Sequence, residues 1–342
     1  MTSDVGALLS RYDYQLPEGQ IARHPLAQRD GARLLCLGEE LSHNRVLDLP
    51  TLLNPGDLLV VNDTQVLPAR VKLKRQTGGA VELFLLEGGA GPSRALLKPS
   101  RRIRAGEVLL AEQGVEVRVL ESLGEGEWRV ECEGGSDALM ERSGSMPLPP
   151  YMAREAIEQD RERYQTIFAD KPGAVAAPTA SLHLTDRLVS ALRQRGVDIA
   201  TITLHVGIGT FRNLREEDVV RGELHPEYYN ISSECVRAIQ ACRERSGRVI
   251  AVGTTVTRTL ESATNSKDRV PKVGGGVTRL FLREGAHFSC VDGLMTNFHL
   301  PRSSLLMLVC AFAGRDRVLG AYEEAISEGY RFYSYGDSML IL

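Results

Sequence analysis

The sequence predicts an α/β protein in two parts, a small all-β unit and a larger domain in which strands and helices alternate. Three observations predict it. Between about residues 65 and 135, short apolar runs are broken by glycine pairs with almost no helical periodicity. Prolines at 147, 149 and 150 then form a stiff boundary, because each fixes φ and removes a backbone donor. Beyond them, helix signals alternate with apolar strands, the pattern of an α/β layer fold.

Within the first stretch, residues 80–86, 115–120 and 128–132 read as strands, with Val115, Val117 and Val119 on one face. Turns fall at Gly78-Gly79, Gly88-Gly89, 124–126 and Gly134-Gly135. Strands this short and closely spaced predict a barrel. In the second stretch, Thr185 suits an N-cap, Leu188 and Leu192 share a helical face, Gly196 suits the C′ position, and residues 197–206 follow as a strand. The unit repeats: Ser232 caps a helix with Val236 and Ile239 inward, Gly247 ends it, and 249–252 is the next strand. A last helix spans 318–328, with Tyr322, Ala325 and Ile326 inward.

Bulk properties bound the function. A chain of 342 residues with 43% hydrophobic and 25% charged content fits a two-domain globular protein. The longest apolar run, 305–314, is far shorter than the roughly 20 residues of a membrane span and reads as buried core. Residues 1–20 carry Asp4, Arg11, Asp13 and Glu18 and no apolar stretch of signal-peptide type, so a cytoplasmic protein is expected. Six cysteines without a C-x-x-C pair predict reduced, mostly buried thiols, not a zinc site or disulfide framework. The net charge of -3 argues against a protein coated in positive charge but leaves room for a local basic patch.

Ligands of α/β sheets bind at the carboxyl ends of strands, and here those ends are polar and glycine-rich. One strand runs into His205, Gly207, Gly209, Thr210 and Phe211; another into Thr254 and Thr255 with Arg258 and Glu261 beyond; a third segment reaches Thr296, Asn297, Phe298 and His299. Gly207 and Gly209 would let backbone N–H groups approach a carboxylate or phosphate, with Thr210 adding a hydroxyl. The same residues equally describe a bend where the strand leaves the sheet. Arg258 and Glu261, three apart, form either an ordinary helix-surface pair or part of a site. His183, His205 and His299 sit at element ends where an imidazole can exchange protons, or serve simply as satisfied hydrogen-bonders. No H-E-x-x-H spacing suggests a metal. In the β unit, Arg94, Lys98, Arg101, Arg102 and Arg104 fall in a stretch without acidic residues, which reads as an RNA-backbone contact or a solvated loop face. Asn62, Asp63 and Thr64, near the junction of the two parts, would contact substrate or shape the interdomain turn.

The motifs resemble, over nearly the whole chain, the S-adenosylmethionine:tRNA ribosyltransferase-isomerase family of queuosine biosynthesis. They include Asp-Tyr-Gln-Leu-Pro-Glu at 13–18, Gly-Asp-Leu-Leu-Val-Val-Asn-Asp-Thr at 56–64, Pro-Ala-Arg at 68–70 and Met-Pro-Leu-Pro-Pro-Tyr at 146–151. Tyr-Gln-Thr at 164–166, Ala-Ala-Pro-Thr-Ala at 176–180, residues 203–211, Arg-Thr-Leu-Glu at 258–261, residues 296–301 and Tyr-Gly-Asp at 335–337 continue them. Departures are Leu184 for phenylalanine, Val256-Thr257 for Ser-Val, Glu284 for proline and Ala286 for tyrosine.

The resemblance implies a partial-barrel-like α/β domain (1–64 and 149–342) into which a β-barrel (65–148) is inserted. It implies transfer and isomerisation of the ribosyl group of S-adenosylmethionine onto 7-aminomethyl-7-deazaguanine at the tRNA wobble position, giving epoxyqueuosine with release of adenine and methionine. S-adenosylmethionine is then a co-substrate, no metal is required, and tRNA carrying the modified base is the partner of a chain expected to be monomeric. On this reading His183, His205 and His299 transfer protons. The Gly207 to Thr210 loop, with Phe211, holds the methionine carboxylate beside Arg258, itself oriented by Glu261. Pro178, Thr179, Thr254, Thr255, Thr296, Asn297 and Phe298 complete that pocket, while Asn62, Asp63, Thr64, Arg101 and Arg102 face the RNA substrate. Two rivals remain: a phosphate-binding α/β hydrolase or transferase, which would turn over a phosphoester without RNA, and a non-catalytic RNA-binding factor.

Overall fold

A computed structural model describes residues 2–207, 209, 214–265 and 267–342. At its centre, strand Leu58–Asn62 is buried at every position, as a strand covered by helices on both faces must be. It pairs in parallel with Asp198–Leu204 on one side and Val249–Val252 on the other, and Gly293–Asn297 extends the parallel set beyond Val249–Val252. The full order is Gly274–Leu280, Glu223–Ile231, Asp198–Leu204, Leu58–Asn62, Val249–Val252, Gly293–Asn297, Ser338–Ile341, Arg33–Leu37 and Leu41–Arg45. These nine strands form the mixed, partial-barrel-like sheet of an α/β domain.

Alternation along the strands feeds two cores. Leu58 and Val60, with Val249 and Ala251, point to the face covered by helices Ser233–Glu244, Thr254–Ala263, Ser304–Ala313 and Arg315–Ser327. Leu59 and Val61, with Ile250 and Val252, meet Leu188 and Leu192 of helix Asp186–Gln194. Each fully buried Leu or Val stabilises by about 1.5–3 kcal/mol relative to exposure. The expected caps form: Thr185 accepts from the Leu188 N–H at 3.3 Å, and Ser232 from the Cys235 N–H at 3.1 Å. The run 305–314 is helix Ser304–Ala313, with Leu306 to Cys310 buried, and no described helix is long and apolar enough to cross a membrane. The final helix begins at Arg315, three residues before the expected start, and Ile326 is only half-buried.

The glycine-punctuated stretch is a closed antiparallel barrel. Six strands run in the order Arg70–Arg75, Ala80–Leu85, Ser93–Lys98, Glu127–Cys132, Glu116–Gly124 and Val108–Ala111, and pairing of Leu73 with Ala111 closes the ring. Inward residues, Val71, Leu83, Leu97, Val117 and Val130 among them, fill it. The chain enters past Thr64–Val66, which pairs in parallel with Lys171–Ala174, and returns through Met146 and Leu148, buried against Val66, Tyr164 and Tyr335. All six cysteines are free, and five are buried.

Candidate active site

The four parallel strands end together at Asn62, Leu204, Val252 and Asn297, and a cleft opens beyond them. It has two adjoining chambers that share Tyr151, Arg258, Leu300 and Leu305. The inner, of about 80 Å³, is lined by Pro178, Thr179, Gly253, Thr254, Thr255, Thr296, Asn297, Phe298 and His299, with Tyr164, Tyr333 and Ser334. The outer, of about 260 Å³, is lined by Gly209, Leu214, Leu224, His225, Glu227 and the turn 300–305. Polar strand ends supply the inner wall; apolar side chains from the outer ribbon and the turn supply much of the outer one.

Helix Thr254–Ala263 follows strand Val249–Val252 after a single residue, Gly253, so its positive end faces the inner chamber. Thr255 Oγ1 at that end is buried without a partner among the described residues. One turn on, Arg258 is 7% exposed, its Nε donating to the Leu280 carbonyl at 3.0 Å and its Nη1 to Glu227. Its Nη2 is buried and has no partner among the described residues. A buried donor left unpaired costs roughly 1–3 kcal/mol, so the inner chamber is built to be completed by an acceptor.

The expected Arg258–Glu261 pair is corrected by this geometry. Glu261 reaches the other way and accepts three consecutive backbone N–H groups, from Ser289, Cys290 and Val291 at 2.7, 3.0 and 2.9 Å. Arg258 is anchored instead by Glu227, which also accepts the Gly207 N–H at 3.1 Å. A carboxylate of the chain itself therefore occupies the first donor of the expected glycine-rich anion loop. Gly209 borders the outer chamber, where a Cβ would stand 3.0 Å from the His225 side chain. Thr210 and Phe211 lie outside the described residues.

The three histidines are not gathered on one rim. His299 lines the inner chamber, with Nε2 2.8 Å from Thr296 Oγ1. Its backbone is pinned twice: its N–H donates to the Tyr322 hydroxyl at 2.9 Å, and its carbonyl accepts from the Tyr14 hydroxyl. Burial pushes the imidazole down to about 3. His183 closes the turn Thr179–His183 and faces a separate small cavity with Arg29 and Tyr335. Its Nε2 has no partner among the described residues, and burial holds the ring at about 4 against the raising effects of the Arg29 backbone and the Asn297 side chain. His205 borders neither chamber; its Nδ1 lies 2.9 Å from Thr64 Oγ1, and its ring packs on Gly173, where a Cβ would come within 2.7 Å. Burial lowers its pKa, partly offset by Asp63.

Asn62, Asp63 and Thr64 turn inward to the sheet rather than into either chamber. Asn62 donates to the Leu204 carbonyl at 2.9 Å and accepts from the Leu204 and Thr64 N–H groups at 3.0 and 3.1 Å. Asp63 accepts from Thr203 Oγ1 at 2.7 Å. Arg101 and Arg102 stand exposed on the barrel turn Ser100–Arg102, and among the described residues neither they nor Arg104 form an ion pair through their side chains. Arg75 and Arg94, by contrast, pair with Glu107 and Glu127. No described His, Cys, Asp and Glu side chains gather in threes as metal ligands would. Glu227, His225 and Ser334 were not singled out from the sequence, and Tyr151 and Tyr164 entered only as members of motifs, not as site residues. The available signal was at Glu227, a carboxylate on the inward-facing row of strand Glu223–Ile231, in line with buried Ile231. Leu184, Val256, Thr257, Glu284 and Ala286 line neither chamber.

Residues 9–341 match the family model described as Queuosine biosynthesis protein. An S-adenosylmethionine:tRNA ribosyltransferase-isomerase from Anaeromyxobacter sp. (strain Fw109-5) is 51% identical, over 97% of this chain and 98% of its own. One of the same name from Moorella thermoacetica is 47% identical, over 98% and 99%. The crystal structure of S-adenosylmethionine tRNA ribosyltransferase from Thermotoga maritima superposes with a TM-score of 0.55 at 33% identity, covering 97% of this chain and all of that one. Full-length identity of this order, the family match and the shared fold agree: the chain belongs to the S-adenosylmethionine:tRNA ribosyltransferase-isomerase family of queuosine biosynthesis enzymes.

Proposed function

We propose that the chain transfers and isomerises the ribosyl moiety of S-adenosylmethionine onto 7-aminomethyl-7-deazaguanine at the tRNA wobble position, giving epoxyqueuosine-tRNA and releasing adenine and methionine. The observation that carries this reading is the two-chambered cleft at the ends of the parallel strands, in a chain of this family. Two reactants must meet, and a polar inner chamber joined to a larger outer one offers each a place. The inner chamber takes the sulfonium and ribosyl part of S-adenosylmethionine, using Pro178, Thr179, Thr254, Thr255, Thr296, Asn297 and Phe298, with Arg258, at the wall the two chambers share, as the anion-binding group. The outer chamber receives the RNA base.

The sulfonium acidifies the ribose 5′ carbon, and a base must take that proton before adenine departs. His299 is the acceptor best placed, since it lines the inner chamber and burial keeps it neutral. Protonation of an isolated buried imidazole is costly, but this transfer creates no new charge. The C–H electron pair stays on C5′, the sulfonium becomes a neutral ylide, and the positive charge moves to the imidazole. The same proton is then available to the departing adenine. His183 and His205 sit outside the chambers and would act through Asn297 and Thr64 respectively. The exposed arginines at 101, 102 and 104 would meet RNA phosphates.

Incubation of the chain with S-adenosylmethionine, with and without tRNA carrying 7-aminomethyl-7-deazaguanine, tests the reading. Free adenine is expected only with that RNA. Replacing His299 by Ala is expected to lower the rate by roughly 10²–10⁴, the usual contribution of a general base; an unchanged rate removes it from the mechanism.

A further inference from the structure

We propose that Glu227 and Arg258 together recognise the α-amino-acid end of S-adenosylmethionine as a zwitterion, Glu227 receiving its ammonium group and Nη2 of Arg258 its carboxylate. The inference rests on the reading of the cleft as the S-adenosylmethionine site, and it adds a substrate contact, Glu227, that the sequence did not suggest.

Arg258 has one free arm. Nε is held by the Leu280 carbonyl at 3.0 Å and Nη1 by Glu227, so the guanidinium plane is fixed with Nη2 buried and, among the described residues, unpartnered. Arginine at a fixed angle is the side chain that best matches a carboxylate. Glu227 has spare capacity too. Its two oxygens accept from the Gly207 N–H and from Arg258, but a carboxylate offers about four lone-pair positions. Although only 5% exposed, Glu227 borders the outer chamber, while Arg258 borders both.

The pair selects its ligand by charge. Glu227 and Arg258 cancel, so a lone phosphate or carboxylate approaching Arg258 also meets Glu227 and is repelled by it. A lone cation is repelled by Arg258 in the same way. An α-amino acid, with ammonium and carboxylate a few bonds apart, presents the opposite dipole and is attracted at both ends. This arrangement also disfavours a phosphate-cradle reading of the glycine-rich loop, whose Gly207 N–H already faces a carboxylate. With the amino-acid end at the shared wall, the sulfonium and ribose would extend into the inner chamber toward His299.

The test compares S-adenosylmethionine with its decarboxylated and its deaminated analogues, reading tRNA-dependent adenine release. Each analogue lacks one charge-assisted contact, so the unmodified chain should use it with kcat/KM lower by roughly ten- to a hundredfold. Glu227→Gln should lower kcat/KM for S-adenosylmethionine by a similar factor, mainly through KM, yet leave unchanged or raise that for the deaminated analogue, whose lone carboxylate is no longer repelled, so that this preference collapses. Arg258→Gln should collapse the preference over the decarboxylated analogue alone. If Glu227→Gln does not fold by circular dichroism, the unmodified chain's preference over the deaminated analogue decides the ammonium contact, its absence overturning it, and the Arg258→Gln ratio decides the carboxylate contact. A purely structural role lowers all three substrates alike, and unchanged ratios in the variants would overturn the assignment. Absence of adenine release from the unmodified chain would overturn the underlying functional reading, and this assignment with it.

Discussion

Asn62 offers the sharpest separation of structural from substrate-binding roles. It sits fully buried at the carboxyl end of the central strand, where its side chain satisfies three backbone groups: the Leu204 carbonyl at 2.9 Å, the Leu204 N–H at 3.0 Å and the Thr64 N–H at 3.1 Å. Leu204 has just left its parallel pairing with the central strand, which ends at the Ile202 and Asn62 positions, so the Asn62 amide continues the ladder one step further. In Asn62→Ala those three groups lose their partners inside the protein. At roughly 1–3 kcal/mol for each unsatisfied group, with some relief from entering water, the loss is about 3–6 kcal/mol. That is a large share of a typical stability of roughly 5–15 kcal/mol. Urea unfolding followed by circular dichroism, with the slope checked for constancy, measures it. A loss below about 1 kcal/mol would refute the clamp, and a stable but inactive variant would return Asn62 to the substrate-binding role.

Three further outcomes are expected. Glu261→Ala removes the carboxylate that gathers the N–H groups of Ser289, Cys290 and Val291, and should speed hydrogen exchange at those amides while lowering Tm; unchanged protection there contradicts the clamp. His183 and His299 are held neutral, at about 4 and about 3, so their unfolded forms bind protons that the native state refuses. Stability is therefore full above the unfolded histidine value of about 6.5 and falls as pH drops below it, by up to about 1.4 kcal/mol per pH unit for each ring. Asp63 and Asp337, whose carboxyl pKa values burial raises, oppose this as pH falls through their raised values. Denaturation midpoints at pH 7, 6 and 5 should decline and should flatten in His299→Gln; a flat profile in the unmodified chain would contradict the buried-neutral assignment. Charge reversal of Arg101, Arg102 and Arg104 should weaken tRNA binding and reduce its salt slope by about one unit for each phosphate no longer neutralised, while an unchanged slope removes that turn from the RNA surface.

The fold was legible where sequence signals are local. Alternating valines and glycine turns marked the barrel, and Thr185 and Ser232 marked helix starts, because each depends on neighbours within a few residues. Strand Glu223–Ile231 and its partner Gly274–Leu280 were not read, since polar side chains and three glycines obscure an exposed antiparallel ribbon. At the cleft, the polar strand ends Thr254, Thr255, Thr296 and Asn297 were visible because ligands collect where parallel strands stop. Which side chain pairs with which was not. Arg258 and Glu261 share a helix, but each is satisfied by a different distant element: a strand carrying Glu227, and the backbone at 289–291. The histidines similarly share a position at element ends, while tertiary packing sends His183 and His205 outside the two chambers.

The most direct test follows the ribose itself. With S-adenosylmethionine labelled in the ribosyl carbons, and tRNA carrying 7-aminomethyl-7-deazaguanine, label is expected in the wobble nucleoside, stoichiometric with free adenine. Label retained in a small molecule while the RNA binds but stays unmodified would contradict ribosyl transfer in this cleft.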